Sequence, residues 1–167
     1  MKHRVTGKQE NSKMCFICGL KNRFGLYTSF YETENGQLIA VFTPRQEHQG
    51  YPGRLHGGIA AAILDETIGR AVNTGKSGIW GVTLDFNIKY KKPVPLSRQA
   101  WVIGRINKEN SRIFEGSGEI VLEDGTVAAE GSGRYLKMPI EKIADFDLEE
   151  NEWKIVISDK DPEVIEI

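Results

Sequence analysis

The sequence predicts an α+β chain: a curved antiparallel sheet of about six strands wrapped around one long central helix. Three observations carry that expectation. A single long helical pattern runs from Ile59 to Val72, strand-like runs with turn signals fill the rest of the body, and no second helical pattern is present to cover the sheet. The helical stretch is so rich in alanine and branched apolar residues that a helix enclosed by other elements fits it better than a surface helix.

The chain has 167 residues and 40% hydrophobic content, enough for one domain with a real core. Residues 1–13 are polar and read as a flexible arm, residues 14–138 as the folded domain, and residues 139–167 as an acidic extension. Phe24 to Tyr31 and Gln37 to Thr43 read as two strands joined at Glu34-Asn35-Gly36, because Asn-Gly supplies the positive φ angles of a tight hairpin turn. Pro44 ends the second. A polar loop with His48, Gln49, Gly50 and Tyr51-Pro52-Gly53 then leads to Arg54-Leu55-His56 and the helix.

Beyond the helix, Ile79 to Tyr90 alternates, with Val82, Leu84, Phe86, Ile88 and Tyr90 expected on one face and Thr83, Asp85, Asn87 and Lys89 on the other. Gln99 to Asn107, Arg112 to Leu122 and Thr126 to Leu136 complete the series, the last two joined by Glu123-Asp124-Gly125.

Net charge is −1, unevenly spread. Residues 141–167 hold ten acidic side chains against three lysines, which leaves a mildly positive body suited to an anionic small ligand. No basic run with interleaved aromatics points to nucleic acid. With no apolar run of about 18 residues and a polar start, Met1-Lys2-His3-Arg4, the expectation is a cytoplasmic protein without membrane spans. Cys15 and Cys18 form a Cys-x-x-Cys, but zinc takes four ligands and there is no second pair. Only His3 and His48 could complete a set, so the two cysteines read as packing residues in a turn and no metal site is expected.

Asp65 needs an explanation, because a carboxylate on a buried helix must be satisfied or functional. Its helical neighbours Ala61, Ala62, Ile68, Gly69 and Val72 include no basic residue, whereas Glu66 has Arg70 four positions on and reads as half of an intrahelical ion pair. Poorly solvated surroundings give a carboxylate a pKa suited to general-base or nucleophilic work. At the helix start, Gly57 and Gly58 after His56 let the backbone approach a ligand, and unpaired N–H groups with the helix dipole attract developing negative charge. Eight residues separate Gly57 from Asp65, roughly 12 Å along a helix. One carbonyl carbon cannot touch both, so joint action requires the acid of a second copy across a two-fold axis.

His56-Gly57-Gly58 followed by an alanine-rich helix with Asp65, together with Gly81-Val82-Thr83-Leu84-Asp85-Phe86-Asn87-Ile88, resembles the PaaI-like branch of the hotdog-fold thioesterases across residues 14–136. The resemblance implies hydrolysis of an acyl-CoA thioester to free acid and thiol, with no metal or redox cofactor and with CoA only as part of the substrate. In it, the Gly57 N–H polarises the carbonyl, Asp65 of the partner activates water or attacks, His56 orients the carbonyl or departing sulfur, and Thr83 positions the water. Gln49, Gly58 and Glu66 are the candidate substrate contacts. Related members often carry an amide side chain where this chain has Gly50, and Gln49 is its candidate replacement. The implied assembly is a homodimer or homotetramer. Two other functions fit the same fold: a non-catalytic acyl-CoA binding or sensing module, and an enoyl-CoA hydratase or dehydratase, which wants a second acid-histidine pairing.

Overall fold

The structure is a computed structural model and describes residues 1–75, 78–144, 147 and 149–167. Eight strands are described: β1 (Lys2–Lys8), β2 (Ser29–Thr33), β3 (Leu38–Phe42), β4 (Ile79–Tyr90), β5 (Ala100–Glu109), β6 (Ile113–Leu122), β7 (Val127–Pro139) and β8 (Val164–Glu166). They form one antiparallel sheet in the order β4-β7-β6-β5-β3-β2-β1-β8. The helix α1 (Gly57–Arg70) lies against it and continues as a short 3₁₀ turn, Ala71–Asn73. The expected glycine turns are present, with Gly36 at φ 70° and Gly125 at φ 78°.

The core forms where α1 meets the sheet. Ala60, Ile63, Leu64, Thr67 and Ile68 are buried from the helix side, facing Phe30, Leu38, Ala40, Val102, Phe114 and Ile120 from the strands. The helix sits this close because the strands beneath it lack side chains at the crossing. A Cβ on Gly81 would lie 2.7 Å from the Gly69 carbonyl oxygen and 2.8 Å from Phe114 Cζ, and one on Gly116 would lie 2.5 Å from Ile68 Cγ2. Gly81→Ala drives a methyl into backbone that cannot rotate away, so a loss of about 1–3 kcal/mol is expected. Chemical denaturation of the variant beside wild type checks this, with an unchanged midpoint as the contrary result.

The N-terminal end departs from expectation. The residues read as a flexible arm include β1, which pairs with β2 on one side and β8 on the other. Ladder hydrogen bonds need no apolar alternation, and His3 and Ile165, opposite one another, are buried. Asn11 anchors the following turn by donating to the Cys18 carbonyl at 2.8 Å and the Thr28 carbonyl at 3.0 Å. The acidic extension packs too: Trp153 meets Trp80 edge-on at 5.1 Å between ring centroids, and Lys154 bridges to Asn11. The first hairpin strand begins at Ser29 rather than near Phe24, with Tyr27 at φ 54° just before it.

The strict alternation expected of β4 is interrupted. Thr83 pairs with Tyr135 and Asp85 with Arg134, which leaves Leu84 as an extra residue in a bulge, 51% exposed. The bulge moves Thr83 off the outward set and onto the helix-facing side with Phe86, Ile88 and Tyr90.

Candidate active site

The helix N-terminus is closed by His56, whose backbone is extended (φ −63°, ψ 134°) and whose ring Nδ1 accepts the Gly58 N–H at 3.0 Å. Ile59 and Ala60 donate to the His56 carbonyl at 3.0 and 3.1 Å. Of the first turn's donors, the Gly57 N–H alone has no partner among the described residues. With Nδ1 accepting, the neutral imidazole carries its proton on Nε2, so exposed His56 presents an N–H donor to the same region. The Tyr90 hydroxyl donates to the Gly57 carbonyl at 2.7 Å and ties β4 to this helix end.

The approach loop is built around His48, fully buried with both ring nitrogens engaged: Nδ1 accepts the Arg45 N–H, and Nε2 meets the Phe24 carbonyl, each at 2.9 Å. Its carbonyl in turn accepts the His56 N–H at 2.9 Å. A Cβ on Gly50 would come within 3.0 Å of His56 Cα, so the loop packs against the histidine where a larger side chain would stand. Gln49 turns its Oε1 to the Gly53 N–H at 2.8 Å, and this end of the amide holds the loop.

Two turns along α1, half-buried Asp65 receives two hydroxyl groups. Thr83 Oγ1 lies 3.0 and 3.1 Å from its two oxygens, and the Tyr135 hydroxyl lies 3.1 Å from Oδ1. Burial raises the Asp65 pKa above the ordinary carboxylate value, and these donors act against the rise. Tyr135 has no exposed surface and stacks on Phe114 at 4.8 Å, so its hydroxyl is fixed. Burial and the neighbouring Asp65 charge push its own pKa up, which keeps it a donor. Sequence reasoning missed Tyr135, because its role depends on the β4–β7 register and not on any local pattern.

The predicted residues therefore fall into separate groups. His56, Gly57 and Gly58 meet at the helix start, and Asp65 and Thr83 meet at its middle. Glu66, expected as a substrate contact, lies elsewhere: its Oε1 accepts from Arg70 Nε at 2.7 Å. The Gly58 N–H is consumed by His56, which leaves that residue's bare Cα beside the site.

A glycine-opened helix terminus and a hydroxyl-held acid on one helix, clasped by an antiparallel sheet, define a hotdog-fold protein. The chain is similar to the thioesterase superfamily, whose family model matches residues 52–129. It is 30% identical over 118 residues to mouse acyl-coenzyme A thioesterase THEM4, covering 70% of this chain and 50% of that one. A crystallised thioesterase superfamily protein superposes with a TM-score of 0.65 at 27% identity, over 73% of this chain and 59% of the other. The PaaI protein of the E. coli phenylacetic acid degradation operon shares the fold, with a TM-score of 0.61 at 16% identity over 68% and 80% of the two chains. The chain spans about half the length of the curated relatives it matches first. No helix among the described residues is long and apolar enough to cross a membrane.

Proposed function

We propose that the chain hydrolyses an acyl-CoA thioester to the free acid and CoA, in composite sites formed by two copies. The observation that carries this reading is Asp65, a carboxylate of raised pKa held by two hydroxyls on the helix whose N-terminus offers the unpartnered Gly57 N–H. The substrate class is that named for the THEM4 relative.

Distance and the sheet support the dimer. Gly57 and Asp65 of one chain are roughly 12 Å apart along α1, too far for one reacting carbon. β4 stands at the end of the sheet and pairs only with β7, so its outer edge is free among the described residues. Antiparallel pairing of two β4 edges about a two-fold axis continues the sheet and sets the helices head to tail. Gly57 of each copy then faces the partner subunit's Asp65.

In such a site the Gly57 N–H and the helix dipole stabilise the oxyanion, and His56 Nε2–H serves as a second donor to it or to the departing sulfur. Asp65 accepts a proton from water as the water attacks the carbonyl carbon, or attacks that carbon itself. Thr83 and Tyr135 fix the carboxylate's orientation, and the tetrahedral intermediate collapses with loss of the CoA thiolate. Gln49 and Gly58 line the approach. The mechanism asks nothing of a metal or redox cofactor, and the cytoplasm is its proposed setting.

Thiol release from short-chain, long-chain and aromatic acyl-CoAs, alongside molecular mass in solution, tests the reading. Turnover of one class by a homodimer or homotetramer is expected. CoA esters that raise the melting temperature without any thiol release would identify a binding module instead. Tyr135→Phe removes one donor from the Asp65 carboxylate, so its pKa moves further up and the acidic limb of kcat/KM shifts to higher pH. A pH–rate profile unchanged by that variant would remove Tyr135 from the site.

A further inference from the structure

Beside Glu66 and Arg70, the Cys-x-x-Cys turn is folded against the last turns of α1. The chain doubles back there, the Gly19 N–H donating to the Cys15 carbonyl at 2.8 Å. A Cβ on Gly19 would lie 2.3 Å from that oxygen, so the turn closes only on glycine. Both cysteines are free thiols, Cys15 half-buried and Cys18 buried. Two backbone donors converge on Cys15 Sγ, from Ile17 at 3.3 Å and Cys18 at 3.5 Å. Arg70 Nη2 lies 3.3 Å from Cys18 Sγ, and Arg70 Nε lies 2.7 Å from Glu66 Oε1. The ligand atoms of Cys15, Cys18 and Glu66 all lie within 4.8 Å of one another.

We propose that Cys15, Cys18 and Glu66 form a binding site for a thiophilic divalent cation of the zinc class, with water in the fourth position. Ligands on a tetrahedral ion with bonds of about 2.0–2.3 Å stand roughly 3.3–3.8 Å apart, so three ligand atoms within 4.8 Å of one another need only a small inward shift. Two soft sulfurs select zinc-class ions over magnesium or calcium. Each ligand has an outer donor in place: backbone N–H groups on Cys15, and the Arg70 guanidinium on both Cys18 and Glu66. Arg70 acts from outside the ligand set. Two thiolates and the Glu66 carboxylate then balance the divalent ion and the Arg70 charge, which leaves the buried group neutral.

The sequence reading lacked this third ligand, since Glu66 arrives from the helix through the fold. Neither histidine weighed there takes part, because both His48 ring nitrogens are engaged in the approach loop and His3 lies on β1. A dithiol–disulfide pair fits the geometry less well. Such a pair uses the two sulfurs alone and gives no place to the Glu66 carboxylate, which lies with them. The ion would pin the Met14–Gly19 turn to the end of α1, independently of any hydrolysis at Asp65.

The test uses the full chain, stripped with a chelator under reducing conditions and titrated with Zn²⁺ against a chromophoric competitor, then with Co²⁺. One ion per chain, a higher melting temperature with Zn²⁺, and a thiolate-to-cobalt charge-transfer band are expected. Affinity should rise with pH as thiol protons are released. Cys15→Ser should weaken binding by more than about 100-fold, beyond the 10–100-fold typical of losing an outer-shell partner. The cobalt band of the wild type reports sulfur ligation even if a cysteine variant fails to fold. The proposal is overturned if the folded wild type retains no ion or gives no charge-transfer band, or if Cys15→Ser binds as tightly. It is equally overturned if oxidised glutathione closes a Cys15–Cys18 disulfide in a chain that takes up no ion.

Discussion

Asp65→Asn is expected to lower acyl-CoA hydrolysis by about 10²–10⁴-fold, the range contributed by a positioned general base, while the protein still folds. Asparagine keeps the shape and can still pair with the Thr83 and Tyr135 hydroxyls that hold Asp65. It cannot take a proton from water or form an acyl anhydride. The stability consequence has the opposite sign. Burial holds the Asp65 pKa above its unfolded value, so the folded state binds this proton more tightly. The stability it contributes is present below the ordinary carboxylate pKa and lost as pH rises through the raised folded value. At neutral pH the variant should therefore melt no lower than wild type, and with the activity loss this separates chemistry from misfolding. Residual activity within ten-fold of wild type in both Asp65→Asn and Asp65→Ala would remove Asp65 from the reaction. Single turnover in heavy-oxygen water tests the covalent role: label incorporated into the Asp65 carboxylate marks it as nucleophile.

Glu66→Ala is expected to destabilise the fold by about 3–5 kcal/mol, the cost of leaving a buried charge without its partner. Arg70 is 2% exposed, and its other contacts are the Cys18 sulfur, the Glu10 carbonyl at 3.0 Å and the rings of Phe30, Trp80 and Trp153 at 4.5 to 5.4 Å. A guanidinium does not deprotonate to escape this. For a chain of this size, about 2–4 °C per kcal/mol implies a melting temperature lower by roughly 6–20 °C. Glu66→Gln should lose less, because an amide oxygen still accepts from Nε. Equal melting temperatures for Glu66→Ala and wild type would mean that the sulfur and the aromatic rings alone compensate the charge.

Much of this fold is legible in the sequence because it depends on local rules. The Asn35-Gly36 and Asp124-Gly125 turns, the glycine-opened helix start and the limits of Ile79–Tyr90 follow from backbone preferences that neighbours do not override. Asp65 is conspicuous because no cation on its own helix answers it. The rest depends on register. The bulge at Leu84 cannot be read from a period of two, which assumes an unbroken strand, and it decides that Thr83 reaches Asp65. Tyr135 joins the same carboxylate from 70 residues away. β1 and β8 escape a periodicity search because their ladders hold polar or very short segments. The cysteine spacing is visible, but Glu66 and Arg70 come to it only when α1 docks.

One strand braces both candidate groups on the helix: β4 holds Asp65 through Thr83 and the Gly57 carbonyl through Tyr90. In the head-to-tail pair of helices proposed above, those two groups serve different centres. A ligand that pulls on Gly57 at one centre therefore bears, through a single rigid strand, on the acid working at the other. In the dimer proposed above, occupancy of the first centre is therefore expected to alter the second, read as a rate curve whose steepness departs from simple saturation.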